Sequence, residues 1–277
     1  MSIVTQDLVV LDGAFEADRQ GLSAGGGSLV AYTCRSPDKE TENEDTVAII
    51  PWGPQAAVLV VADGAGGLPA GKRASLTAVQ TLAGSLAVAA EKTMLLRTAV
   101  LNGIEAANVA VRELGNGSAT TLIVVTIEGR AARAYQIGDS EALVIGQRGL
   151  VKLQTTAHSP TGFAVEAGFL DHREALHHED RHLVSNFIGT ADMSIDVGAL
   201  VELAAWDTVV LASDGLTDNL HIEEIIELTR KGPLDKAADT LVEKASARMS
   251  SAKSGQPSKP DDLSVILFRK PKPRPAA

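Results

Sequence analysis

Short apolar runs, each ending beside a glycine or an acidic residue, recur along the chain. Runs of this length that are rich in β-branched residues are typical of buried strands. They predict strands at 29–34, 46–50, 58–62, 120–128, 131–137, 141–145, 150–153, 207–212 and 263–268. Several of these strands follow one another through tight turns, which indicates antiparallel pairing rather than the alternating strand and helix order of a parallel sheet.

Four further segments place their apolar residues at helical three-to-four spacing, which predicts helices at 69–91, 94–114, 221–231 and 234–251. Gly115 follows the second of them, as glycines commonly follow helices. The helices come in two consecutive pairs, and each pair is followed by further strand signals. We therefore predict an α+β fold in one large domain, residues 29–270.

The two ends of the chain differ from this domain. Residues 1–28 contain a short apolar piece and end in Gly25-Gly-Gly-Ser28, so we interpret them as an N-terminal extension or as a first edge strand joined flexibly to the rest. Residues 271–277 place prolines among basic residues, which predicts a disordered tail.

The region 155–198 is less regular and contains five of the six histidines, which are His158, His172, His177, His178 and His182. A metal cluster is one interpretation of this group. However, the adjacent pair at 177 and 178 would lie on different faces of a helix, and no cysteine or close acid completes a zinc pattern. We favour surface or capping residues of a mobile segment.

Composition excludes several classes of protein. The chain of 277 residues is 45% hydrophobic and 22% charged, as in an ordinary globular protein, and its net charge of −10 argues against nucleic-acid binding. One cysteine, Cys34, excludes an intrachain disulfide. Residues 1–15 lack a signal-peptide pattern, and no apolar run approaches the roughly 20 residues that span a bilayer. We expect a cytoplasmic monomer with no membrane partner.

Acidic residues stand where the predicted strands begin or end, and this placement is the main functional signal. Asp63 follows one strand and precedes the glycines 64, 66 and 67, while Asp139, Asp214 and Asp261 flank three others. Carboxylates brought together repel one another, and a divalent cation removes that penalty. Oxygen ligands without cysteine favour Mg²⁺ or Mn²⁺ over Zn²⁺. From the residues alone, a two-metal phosphoryl site and a set of structural turn acids remain equally open.

Five motifs occur in a fixed order: Asn43-Glu-Asp45, Val61-Ala-Asp-Gly-Ala-Gly-Gly67, Ile137-Gly-Asp-Ser140, Leu211-Ala-Ser-Asp-Gly-Leu-Thr-Asp218 and Asp261-Asp-Leu-Ser-Val265. Together they resemble the metal-dependent serine/threonine protein phosphatases of type 2C, over about residues 29–269. The resemblance implies a four-layer αββα sandwich, in which two central antiparallel β-sheets are flanked by helix pairs. It also implies an enzyme that dephosphorylates signalling phosphoproteins.

The same resemblance implies roles for individual residues. Asp63, Asp214 and Arg35 would be catalytic, and two or three Mn²⁺ or Mg²⁺ ions would bind at Glu44, Asp45, Asp63, Gly64, Asp139, Asp214, Asp218 and Asp261. Asp63 would bridge two ions, and a water shared by these ions would attack phosphoserine or phosphothreonine in a protein substrate.

This chain departs from the family pattern at the phosphate-binding arginine. That arginine usually lies four residues before the glutamate of the first motif, where this chain has Glu40. Arg35 can serve only if residues 36–41 bulge outward. Two alternatives to a protein phosphatase therefore stay open, namely a non-catalytic phosphoprotein-binding regulatory module of the same fold and a small-molecule phosphohydrolase.

Overall fold

A computed structural model of the chain describes residues 8–65 and 70–272. In chain order its strands are β1 (Val9–Leu11), β2 (Asp18–Ala24), β3 (Gly27–Cys34), β4 (Thr46–Pro51), β5 (Ala56–Ala62), β6 (Gly64–Ala65), β7 (Ala119–Thr120), β8 (Leu122–Glu128), β9 (Ala131–Ile137), β10 (Glu141–Ile145), β11 (Val151–Gln154), β12 (Asp196–Val197), β13 (Val201–Glu202), β14 (Thr208–Ala212) and β15 (Leu263–Arg269). Its helices are α1 (Ala70–Glu91), α2 (Leu96–Leu114), α3 (Pro160–Glu166), α4 (His172–Ala175), α5 (Asp214–Thr217), α6 (Ile222–Thr229) and α7 (Leu234–Ser250), with a 3₁₀ turn at Glu179–His182.

The strands form two antiparallel sheets. The first has the order β1-β4-β5-β8-β9-β12, with β13 also paired to β9, and the second has the order β11-β10-β14-β15-β3-β2. Three apolar interfaces separate four layers: α1 and α2 cover the first sheet, the two sheets face each other, and α5, α6 and α7 cover the second sheet. This arrangement confirms the predicted αββα sandwich.

Strand β5 shows why its sequence is an unbroken apolar run. Side chains alternate between the two faces of a strand. Val58 and Val60 pack under the helices α1 and α2, whereas Leu59 and Val61 pack against the second sheet. Because both faces are buried, both sets of positions must be apolar.

The described part of the predicted N-terminal extension forms edge strands, which was the alternative to an extension. β1 pairs with β4, and β2 pairs with β3 as a hairpin. Gly25 and Gly26 both have positive φ and form its two-residue turn, so the glycine run is a tight connection and not a flexible junction. β2 is mostly exposed and polar, which hides it from a hydrophobic pattern. Residues 1–7, and all of the predicted tail except 271 and 272, lie outside the described residues.

The register of the sheets brings distant segments to one edge of the sandwich. Thr46 at the start of β4 pairs with Ala62 at the end of β5, and in the second sheet Ala212 at the end of β14 pairs with Val265 near the start of β15. Residues just outside these four strand ends therefore share one edge. Among the described residues, none of the helices has the length and apolar character needed to cross a membrane.

Candidate metal centre

Asp63 lies one residue beyond β5, and hydrogen bonds fix its backbone. Its N–H donates to Thr121 Oγ1 (3.2 Å), and its carbonyl accepts from the Thr121 N–H (2.8 Å) and from the Thr120 hydroxyl (2.8 Å). Thr121 in turn shares a 2.7 Å hydrogen bond with Ser140. The segment before β8 thereby connects the second motif to the third and holds Asp63 in place.

Glu44 and Asp45 precede β4 on the same edge. Asp45 is fully buried, and its Oδ2 accepts a 2.8 Å hydrogen bond from Ser213 Oγ, which joins the first motif to the fourth. The backbone N–H of Glu44 donates to Asp262 Oδ2 at 2.7 Å, which joins the first motif to the fifth. Asp262 also accepts from the Ser36 N–H, so this carboxylate fixes both ends of the 36–44 loop.

The acids of the five motifs lie close enough to change one another's ionisation. Burial raises the pKa of Asp63 well above its ordinary value, and the negative charges of Asp45, Asp214, Asp261 and Asp139 raise it further. The proximity of Asp63 to Asp214 and Asp261 is the arrangement on which the sequence-based hypothesis depends.

Burial, followed by the charge of Asp214, has the same effect on three other acids of the cluster. It raises the pKa of Asp139 well above the ordinary value, that of Asp218 to about 6 and that of Asp261 to about 7. Burial, followed by the charge of Asp262, also raises the pKa of Asp45 well above its ordinary value. Each of these shifts means that the positive charges of the protein do not compensate for the burial and mutual repulsion of these acids.

Two lysines that the sequence analysis did not single out bring positive charge into contact with the cluster. Lys39 Nζ lies 3.0 Å from Glu44 Oε2 and 2.5 Å from Asp262 Oδ2. Lys259 Nζ contacts Asp214 Oδ2 and lies 3.0 Å from Asp218 Oδ2. The only sequence signal for either was a basic residue close to an acidic motif: Lys39 five residues before Glu44, and Lys259 two before Asp261.

The donor set fits a hard divalent cation. Glu44 Oε1, Asp45 Oδ1 and Asp214 Oδ1 are buried oxygens that have no hydrogen-bond partner among the described residues, which is costly unless a cation binds them. All ligand atoms in the set are oxygens, as Mg²⁺ and Mn²⁺ prefer. With the side chains placed around Lys39 and Lys259, no three Asp, Glu, His or Cys residues in the described ranges surround one point at ligand distance. A bound ion therefore requires the acidic side chains to rearrange.

Gly64 and Gly71 make room beside Glu44. A Cβ on Gly64 would collide with the Gly71 carbonyl and would lie 2.8 Å from the Glu44 carbonyl oxygen, and a Cβ on Gly71 would collide with Glu44 Oε1. The backbone can therefore approach the site closely only with glycine at both positions. Gly64 belongs to the second motif, and the other two glycines of that motif, 66 and 67, lie outside the described residues.

Arg35 lies at the margin of the site. Its guanidinium stacks over the Phe15 ring, 5.8 Å from the ring centroid. Lys39 lies in the loop between Arg35 and the acids, and Glu40 beside it is exposed. Of the two cations, Lys39 is the one that contacts a candidate metal ligand.

A cavity of about 310 Å³ extends from the acid cluster to the irregular region 155–181. Asp139, Asp214 and Asp218 line one end of the cavity, and residues of α3 and α4 line the other. Glu141 lines it as well, and burial raises the pKa of this carboxyl to about 7. The cavity thus connects the candidate metal ligands to the irregular region that follows β11.

The interpretation of all five histidines as surface or capping residues is wrong for His158. This side chain is buried; its Nδ1 accepts a hydrogen bond from the Gly138 N–H at 3.3 Å and lies 2.9 Å from Asn186 Nδ2. Burial lowers its pKa, which favours the neutral ring, and the ring nitrogen bridges Gly138 and Asn186 next to Asp139. His178 does cap the 3₁₀ turn, because its Nδ1 accepts from the Asp180 N–H.

Comparisons with known proteins agree with this geometry. The family model described as Protein phosphatase 2C matches residues 37–253. Protein phosphatase PhpP of Streptococcus pneumoniae is 32% identical over 216 residues, which cover 74% of this chain and 85% of the relative. The solved serine/threonine phosphatase of Streptococcus agalactiae superposes with a TM-score of 0.73 at 26% identity, over 92% of this chain and 99% of that one.

A third similar protein is the catalytic domain of the serine/threonine protein phosphatase PstP, solved in complex with two manganese ions. It superposes with a TM-score of 0.68 at 23% identity, over 96% of this chain and 100% of that domain, and at this identity the likeness shows the fold. The family match covers most of the chain and includes four of the five motifs whose acids meet at one edge of the sandwich. This chain belongs to the protein phosphatase 2C family.

Proposed function

We propose that the chain is a metal-dependent protein phosphatase that hydrolyses phosphoserine and phosphothreonine esters of a protein substrate. One observation carries the proposal. Acids from five separate segments meet at one sandwich edge, and Glu44, Asp45 and Asp214 each have a buried oxygen that no group in residues 8–65 and 70–272 hydrogen-bonds. Buried carboxylate oxygens of this kind destabilise the fold unless a divalent cation binds them. The arrangement therefore favours a cation-binding role.

The roles of the acids follow the family pattern. Asp63 would hold both of two Mn²⁺ or Mg²⁺ ions, and the Gly64 carbonyl would contact one of them. Asp214 and Asp261 would complete one ion's ligand set, and Glu44 and Asp45 would bind the other ion or its water. Asp139 and Asp218, together with Asp214, would form a third and looser site. When bound, the ions supply an activated water and neutralise the phosphoryl oxygens.

The chain's own residues position the substrate. Lys39 carries the ammonium closest to Glu44, so we propose that it, rather than Arg35, attracts the phosphate. The cavity between Asp218 and helix α3 would accept the phosphorylated side chain. Residues of α3 and α4 would then contact the flanking peptide and select among substrates.

The experiment measures hydrolysis of an aryl phosphate and of a panel of phosphoserine and phosphothreonine peptides, with Mn²⁺ or Mg²⁺ supplied. We expect turnover by the native chain and a loss of roughly a thousandfold in Asp63→Asn, or about 4 kcal/mol of transition-state stabilisation. Asp192→Asn is the matched control because Asp192 is exposed and lies outside the cluster.

Three results would contradict the proposal, and each points elsewhere. Equal activity of the native chain and Asp63→Asn would exclude the metal-dependent mechanism. Phosphopeptide binding in a calorimeter without turnover would identify a regulatory module. Turnover confined to small phosphate esters would identify a small-molecule phosphohydrolase.

A further inference from the structure

Lys259 lies in the loop between α7 and β15, and its backbone is held on both sides by one buried amide. The Lys259 N–H donates to Asn219 Oδ1 at 2.8 Å, and Asn219 Nδ2 donates to the Lys259 carbonyl at 2.8 Å. Asn219 also donates to the Gly215 carbonyl at 2.9 Å. This clamp fixes the position from which the lysine side chain enters the acid cluster.

The side chain is largely buried, and its ammonium contacts three carboxylates. It donates to Asp214 Oδ2, lies 3.0 Å from Asp218 Oδ2 and lies 3.4 Å from Asp261 Oδ2. An ammonium has three donors and no acceptor, so this group of acids matches it fully. All three acids are also residues to which the proposed function assigns divalent ions.

We infer that the Lys259 ammonium takes the place of the third, looser divalent cation at the edge formed by Asp214, Asp218 and Asp261, so that the two ions of the proposed reaction remain. A divalent ion placed among the same carboxylates would lie within a few ångströms of the ammonium, and the two positive charges would repel. The chain therefore binds fewer divalent ions than its acids could ligate, and the internal cation offsets part of the negative charge of this edge when metal is scarce.

The inference rests on the proposed function only in taking Asp214, Asp218 and Asp261 as a divalent-cation site. Its test measures binding, so that it stays independent of catalysis. Mn²⁺ is titrated into the metal-free full chain, and free Mn²⁺ is counted by electron paramagnetic resonance. The same titration is run on Lys259→Met, on Lys259→Arg, which keeps the charge, and on Lys253→Met, an exposed lysine of the same loop.

We expect Lys259→Met to bind about one additional Mn²⁺ per chain, or to bind its weakest ion at least about tenfold more tightly. Lys259→Arg and Lys253→Met should match the native chain. Thermal melting in a chelator gives a second readout: Lys259→Met should melt below the native chain because three acids lose their cation, and Mn²⁺ should reverse the order of the two melting temperatures.

Unchanged Mn²⁺ stoichiometry and affinity in Lys259→Met would overturn the inference, as would a native chain that binds no Mn²⁺. If Lys259→Met does not fold in chelator, Lys259→Gln and the Lys259→Arg titration decide the matter in the same way. Aryl phosphate hydrolysis is recorded separately. A chain without activity whose Lys259→Met variant still binds the extra ion would contradict the proposed function and support this inference.

Discussion

The carboxylate of Glu224 and the acid cluster lie on either side of Asn219, and they are stabilised in opposite ways. Glu224, at the start of α6, accepts hydrogen bonds from Lys244 (2.7 Å) and Arg248 (2.8 Å) and from the His221 N–H. Burial would raise the pKa of Glu224, but these donors outweigh it and lower the pKa to about 2. Its charge is therefore stabilised by the fold.

In the acid cluster the balance is reversed. Asp45, Asp63 and Asp139 have pKa values well above the ordinary range, because burial and neighbouring carboxylates exceed what donors supply. Arg248 links the two regions, since its guanidinium donates to Glu224 and also to the Asn219 carbonyl at 2.7 Å. The difference teaches that an acid paired within the chain stabilises the fold, whereas one left short of donors is available to a ligand.

The largest expected effect comes from removing one charge of the cluster. Asp45→Asn keeps the shape of the side chain and its hydrogen bond to Ser213, but it removes a candidate ligand. We expect hydrolysis to fall by roughly a thousandfold. In chelator the same variant should melt about 2–4 °C above the native chain, a gain of about 1 kcal/mol, because an uncompensated buried charge is gone.

Activity assays and melting curves in chelator and in Mn²⁺ check both halves of this prediction, with Asp192→Asn as control. A variant that loses activity and also melts lower in chelator would show that the Asp45 carboxylate is structural. The contrast with the Glu224 region would then be lost.

The second-largest expected effect distinguishes between Lys39 and Arg35 as the residue that binds the substrate phosphate. Lys39→Met removes the ammonium beside Glu44, so we expect the KM for a phosphopeptide to rise about tenfold with a smaller change in kcat, equivalent to about 1.4 kcal/mol of substrate binding. Arg35→Met removes a contact with the Phe15 ring at the margin of the site and should change KM by less than about twofold. Steady-state kinetics on both variants decide which cation binds phosphate. A larger rise in KM for Arg35→Met than for Lys39→Met would identify Arg35 as the phosphate-binding residue.

The sequence was sufficient for the parts of the molecule that repeat a local pattern. β5 and β14 are runs whose apolar character follows from burial on both faces, and their ends identify the edge where acids could meet. The family motifs then named those acids. Neither source could identify the partners of the acids, because a side chain such as Lys259 reaches Asp214 only through the fold of a loop that connects α7 to β15.

Two other features, β2 and His158, could not be predicted from the hydrophobic pattern for related reasons. β2 is exposed and polar, so it has no hydrophobic signature, although its hairpin with β3 follows from Gly25 and Gly26. His158 becomes a buried bridge through Gly138 and Asn186, which are distant in sequence. Long-range contacts of single side chains do not alter the hydrophobic periodicity of the sequence. They can therefore be identified only from the structure.

A smaller effect tests the other side of the comparison. Glu224→Gln leaves Arg248 and Lys244 without their carboxylate, and it should destabilise the chain by about 1 kcal/mol after allowance for solvent screening. Glu224→Gln is thus expected to lower the free energy of unfolding, whereas Asp45→Asn in chelator is expected to raise it. Urea unfolding of the metal-free proteins measures both variants, and activity in Mn²⁺ should be unchanged in Glu224→Gln. A stabilised Glu224→Gln variant would contradict the contrast between the two regions.

The pH dependence of this smaller effect provides the finest test. Glu224 has an ordinary pKa of 4.5 and a folded pKa of about 2, so the folded state binds its proton less readily than the unfolded state does. The stabilisation is therefore fully present above pH 4.5 and is lost as the pH falls toward 2. The difference in unfolding free energy between the native chain and Glu224→Gln should stay constant from pH 8 to pH 5 and shrink below pH 4.5. A difference that persists undiminished at low pH would mean that packing of the glutamate stem, and not its charge, stabilises the start of α6.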